Sequence, residues 1–255
     1  MRAAALLLFL IAGSASAAPL RVEVLLNAAM AKKAGLGPLT GSFAVTPSRL
    51  VLLGERSRTF LLGWGGTRGV AGLDGLDALA YTPDGFLMAI RGRELLVLDG
   101  EAGLQKVFTL PSAGMGIATG GKDRVLLYER RAGRSGLYEL RPGGKIVKLL
   151  ESPEPIAGAA VRGDGTIILA AGRSLFEVAR GKAMRLLASA DAPLTSVALG
   201  SEGNVYASDG ASVSALNGGK LSPVTNEAGG QLSWLADGLL VLDPKRSLVA
   251  RVSGL

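Results

Sequence analysis

The chain has no cysteine and no histidine, and these two absences exclude more function classes than any motif adds. Without cysteine there are no disulfides, thiolate-held clusters, thiol nucleophiles or lipid-modified anchors. Without histidine the commonest general base and metal ligand are missing, which rules out Ser-His-Asp triads and histidine-bound zinc. Aromatic residues are scarce, at 5% of 255 residues, and form no ladder on which bases would stack. No nucleic-acid partner is therefore expected, despite a formal net charge of +7. Tyr81, Tyr128, Tyr138 and Tyr206 lie in apolar runs and are expected to pack between sheets. Any chemistry is left to carboxylates, Lys, Tyr or an oxygen-ligated cation.

Long hydrophobic runs are also absent, with one exception at the start. Arg2 precedes the apolar stretch Ala3–Ala12, and Ala15-Ser16-Ala17 forms a small-x-small cleavage site. Residues 1–17 therefore read as a secretory signal peptide, leaving 18–255 as the mature domain. No later stretch reaches the roughly 18 apolar residues of a membrane helix. A periplasmic or extracellular bacterial protein without a membrane span is expected.

What the sequence does contain is a repeat. An apolar run, a tight turn, a second run, a hairpin and a third run recur, most clearly in LDALAYTPDGFLMAIRGRELLVLDG from Leu76. The residue after the first turn in successive copies is Leu50, Phe86, Arg124, Thr166, Asn204 and Leu239, at steps of 36, 38, 42, 38 and 35 residues. Short runs rich in Val, Leu and Ile, bounded by Asp-Gly, Gly-Gly and Gly-Asn, are strands. Six copies of about 40 residues match the blades of a β-propeller. The last copy ends without a fourth strand, while Leu20–Leu26 has strand character and no copy of its own. The predicted fold is all-β, a six-bladed propeller whose last blade is completed by the N-terminal strand, so that no sheet edge is left open. Helical spacing occurs only at Asn27–Ala34.

The run Gly203-Asn204-Val205-Tyr206-Ala207-Ser208-Asp209 resembles the core of an NHL repeat, and Pro83-Asp84-Gly85 and Gly163-Asp164-Gly165 resemble its turn. Six-bladed relatives include the gluconolactonase-type, calcium-dependent lactonases. That resemblance implies a metal held at the channel mouth by Glu, Asn and Asp from different blades. Here Leu36, in Gly35-Leu36-Gly37-Pro38, stands where the Glu is implied, and Ile156-Ala157-Gly158-Ala159 lacks the Asn. Asp77 aligns with an acidic position before an inner strand.

Two sets of charges are expected on the face where one blade leads to the next. The inter-blade loops carry Asp74, Asp77, Glu151, Glu154, Asp191 and Glu227, oxygen ligands able to hold a hard cation. Farther from the axis, hairpins carry Arg91, Arg93, Arg130, Arg131 and Arg173, a basic collar able to dock an anionic surface, with Glu55, Glu94, Glu129 and Asp243 offsetting charge locally. The expected function is a non-enzymatic interaction module or scaffold in the cell envelope. In that reading the five arginines dock another envelope protein or an anionic surface, with no catalytic residue and no cofactor. The alternative is a calcium-dependent lactonase or related hydrolase using Asp77, Glu154, Asp191 and Glu227, or a small-ligand sensor at the same mouth.

Overall fold

The computed structural model describes residues 19–63, 66–99, 103–235 and 237–255, except for the side chain of Lys122. The signal peptide expected at residues 1–17 lies outside them. Strand β1 (Arg21–Leu26) leads into α1 (Ala28–Lys33), the single α-helix among the described residues. The Asn27 side chain caps this helix by accepting from Met30 N at 2.9 Å, and Lys32 and Lys33 sit at its negative end. No helix among the described residues is long and apolar enough to cross a membrane.

The remaining strands follow as antiparallel groups of four, each pairing in chain order. The first group is β2 (Leu39–Val45), β3 (Val51–Glu55), β4 (Thr59–Gly63) and β5 (Gly66–Val70). The second is β6 (Ala78–Tyr81), β7 (Leu87–Arg91), β8 (Glu94–Asp99) and β9 (Gly103–Thr109). Next come β10 (Gly116–Gly120), β11 (Arg124–Tyr128), β12 (Ser135–Arg141) and β13 (Lys145–Ser152). They share an eight-stranded sheet with β14 (Ile156–Val161), β15 (Ile167–Ala171), β16 (Ser174–Val178) and β17 (Arg185–Ser189), joined through the parallel pair Gly120–Val161. Another sheet holds β18 (Ser196–Leu199), β19 (Val205–Ser208), β20 (Val213–Asn217) and β21 (Lys220–Thr225). Finally, β22 (Gln231–Leu235), β23 (Gly238–Asp243) and β24 (Leu248–Ser253) are joined by β1, which runs antiparallel to β24 from Arg21–Ser253 to Leu26–Val249.

The first strand of each group lies beside the first strand of the next: β2 by β6, then β10, β14, β18 and β22, which lies beside β2. The sheets therefore stack face to face, and their second strands are covered on both sides. This explains why β15 (IILAA) and β23 (GLLVLD) are buried along their whole length and show no period-two alternation. Each interface is an apolar layer. Met88 and Ile90 meet Ile117 and Leu127 in one, and Ile168 and Leu175 meet Val197 and Ala207 in another.

The turn after the first strand repeats in geometry as well as in sequence. Gly85 N donates to Thr82 O, Gly165 N to Arg162 O and Gly203 N to Gly200 O, at 2.9, 2.9 and 3.0 Å. All three glycines have positive φ, which an L side chain rarely adopts. In the first group Arg49 occupies this place at φ 63, donating to Thr46 O, and that departure is why this copy looks worn.

Glu55, Glu129 and Asp243, at the ends of second strands, are all buried. They tie down the following hairpin or a neighbouring loop. Glu55 accepts from Gly37 N and Arg58 Nε, while Glu129 accepts from Gly136 N at 2.7 Å and Ser112 Oγ at 2.8 Å. Asp243 accepts from Lys245 N and Arg246 N. They anchor the backbone and also pair with the neighbouring Arg58, Arg131 and Arg246.

In the fifth group Asp209 does similar work, accepting from Ala211 N at 2.9 Å and Ser212 N at 2.7 Å. Burial alone raises the pKa of this carboxyl, but those N–H groups and the Ser212 hydroxyl outweigh it and hold it below the usual aspartate value. A carboxyl depressed in the folded state adds stability above its unfolded pKa of about 3.9, and that stability is lost as pH falls through the folded value. Asp209→Asn is therefore expected to lower the melting temperature at pH 7, with the difference from wild type closing as pH falls below the ordinary aspartate value of about 3.9. A gap that keeps its size as pH falls would contradict this.

Candidate small-molecule site in the central channel

The first strands surround a cavity of about 420 Å³. Small residues such as Gly41, Ala78, Gly158 and Ser196 stand on its wall and keep it open. Trp234 also lines it, stacked on Tyr206 with ring centroids 5.7 Å apart. Among the described residues, Arg130 is the one charged side chain on the lining.

Register explains how Arg130 gets there. Tyr128, the last residue of β11, pairs with Gly116 at the start of β10. A Cβ on Gly116 would lie 2.2 Å from the Tyr128 ring, so only glycine lets the ring cross the strand end. The Arg130 guanidinium stacks over that ring, 5.4 Å from its centroid, with Nη2 3.3 Å from the hydroxyl. Such a cation–π contact orients the group without neutralising it. Arg130 forms no ion pair among the described residues, and it remains exposed to solvent at the mouth. Its pKa is held above the ordinary arginine value, first by Tyr128 and, after burial has opposed it, with a smaller pull from Asp77. The group is therefore a permanent positive charge. On the same lining Ser42 is 1% exposed, and its hydroxyl has no hydrogen-bond partner among the described residues.

The other arginines of the expected collar are placed differently. Arg91 donates through Nε and Nη2 to Asp74 O at 3.1 and 2.8 Å, and Arg93 Nε donates to Leu110 O at 3.0 Å. Arg131 pairs with Glu129 at 3.2 Å. Arg173 is exposed, and its carbonyl accepts from Ala190 N. Arg91, Arg93 and Arg131 thus brace loops, while Arg130 turns inward. In the sequence Arg130 and Arg131 look equivalent, and only the Gly116–Tyr128 register separates them.

The acidic residues remain apart. Asp77 Oδ2 accepts from Gly92 N at 2.7 Å, and Glu154 packs against Gly172. Asp191 and Glu227 are exposed. Leu36, at the position where the lactonase resemblance implies a ligand, is buried in an apolar cluster with Leu26, Ala31 and Leu39. Among the described residues no three acidic side chains gather where they could hold a metal ion. The donor set does not fit the calcium centre that the resemblance implies, since the mouth presents a cation of its own.

No family model matches the sequence, and no curated protein does. The structure has clear likenesses. One is a gluconolactonase from Xanthomonas campestris, 15% identical, with TM-score 0.69 over 93% of this chain and 98% of that one. A luciferin-regenerating enzyme is 11% identical, with TM-score 0.72 over 93% and 96%. A calcium-binding regucalcin from Agrobacterium tumefaciens is 13% identical, with TM-score 0.65 over 85% and 91%. The fold is a β-propeller. These likenesses correct the expectation of a non-enzymatic interaction module: two of the three propellers carry the names of enzymes, and the third binds calcium. Those names agree better with the alternative drawn from the sequence, a calcium-dependent lactonase or related hydrolase, than with an interaction module.

Proposed function

We propose that the protein is a hydrolase of lactone-like small molecules that works in the central channel without calcium. One observation carries this reading: a cavity walled by small residues and holding a lone guanidinium, at the hub of a fold shared with small-molecule enzymes. In the reaction, water attacks the lactone carbonyl carbon, the ring C–O bond breaks, and the proton lost by water reaches the departing alkoxide through solvent at the mouth. Charge builds on the carbonyl oxygen, and Arg130 is the group on the lining able to meet it. The proposal includes a six-bladed ring with β1 as the fourth strand of the last blade, consistent with the β1–β24 pairing. It also includes export after removal of residues 1–17.

The test is acid release from a panel of lactones, glucono-δ-lactone first, measured by pH-stat with calcium or EDTA. Turnover above the spontaneous rate, equal under both conditions, is expected, together with a melting temperature unmoved by millimolar calcium. Failure to accelerate any lactone would overturn the hydrolase reading. Turnover seen only with calcium would overturn its metal-free form.

A further inference from the structure

We propose that the channel mouth is a carboxylate receptor: Arg130, mounted on Tyr128, binds an open-chain hydroxycarboxylate more tightly than the uncharged lactone. The proposal rests on the hydrolase reading only for the choice of ligand.

The electrostatics come first. A guanidinium without an ion pair inside a concave site is a strong attractor for an anion, and its planar fork matches the two oxygens of a carboxylate. Among the described residues, no carboxylate stands on the lining to compete for it. Asp77, an acidic group whose charge acts on Arg130, has an oxygen engaged by Gly92 N.

Because the carbonyl oxygen of a lactone becomes a carboxylate oxygen of the product, the same guanidinium would follow that atom through the reaction. The charged product gains a charge-assisted contact that the neutral substrate lacks, so the enzyme is expected to be inhibited by its product.

The experiment is calorimetric titration of the full chain with sodium gluconate and, separately, with glucitol, which has comparable hydroxyls but no carboxylate. Gluconate is expected to bind at least about tenfold more tightly than glucitol. Arg130→Gln should lose that preference while melting within a few degrees of wild type. Arg130→Lys should retain part of it, since the charge remains and the fork does not. Absence of gluconate binding, equal binding of glucitol, or unchanged gluconate affinity in Arg130→Gln would each overturn the proposal. Lactone turnover without gluconate binding would reject the receptor and leave the hydrolase standing. Gluconate binding that depends on Arg130, with no lactone turned over, would do the reverse.

Discussion

A chain beginning at Asn27, and so lacking β1, is expected to lose its cooperative melt and to elute as soluble aggregates. β1 supplies the pairing partner of β24 from Arg21–Ser253 to Leu26–Val249. It also places Leu26, 2% exposed, in the cluster that includes Leu53, Leu240 and Val249. Removing a buried leucine side chain alone costs about 2–5 kcal/mol, against a total stability of about 5–15 kcal/mol for a domain. The truncation additionally leaves the N–H and C=O groups of β24 open as an edge, ready to pair with another molecule. Leu26→Ala separates the two effects: it removes the apolar contact but keeps the pairing. At about 2–4 °C per kcal/mol for a chain of this size, it should melt roughly 5–15 °C lower and stay monomeric. Size-exclusion chromatography and circular dichroism read both results. A monomeric truncated chain with a near-native melt would show that β1 is dispensable.

The second large effect is expected at Gly116. Placing a methyl group 2.2 Å from the Tyr128 ring forces that ring aside, and with it the platform under Arg130. Overpacking of this kind costs about 1–3 kcal/mol, a fall of several degrees in the melt. Affinity for gluconate should drop at least about tenfold, because the guanidinium is no longer held at the mouth. Gly163→Ala is the control. A Cβ there meets nothing within 4 Å, and neither the melt nor the affinity should change. Wild-type affinity in Gly116→Ala would mean that the Tyr128 ring does not position Arg130.

The all-β character and the four-stranded groups were legible because turns impose residue types. Asp84-Gly85, Asp164-Gly165 and Gly203 mark the same positive-φ turn each time, and the short α1 was visible in its spacing. The site was harder to read. Gly116 and Tyr128 become opposed only once strand register is set, so nothing in the sequence distinguishes inward Arg130 from Arg131 on its ion pair with Glu129. Glu55, Glu129 and Asp243 read as surface charges because backbone partners such as Gly37 N and Gly136 N leave no sequence pattern. Leu36 was visible as a departure from a metal ligand, but not as the core residue it is. The missing histidine and cysteine remove several catalytic schemes, yet that negative evidence was carried too far toward a scaffold. At 11–15% identity the likeness to enzyme propellers resides in the fold and not in aligned residues.

The central claim is that a ligand binds at Arg130 in the channel, and a crystal structure of the full chain with gluconate tests it most directly. The account predicts the carboxylate against the Arg130 guanidinium and no cation between ligand and protein. Gluconate held through a bound metal ion, or seated away from Arg130, would contradict it.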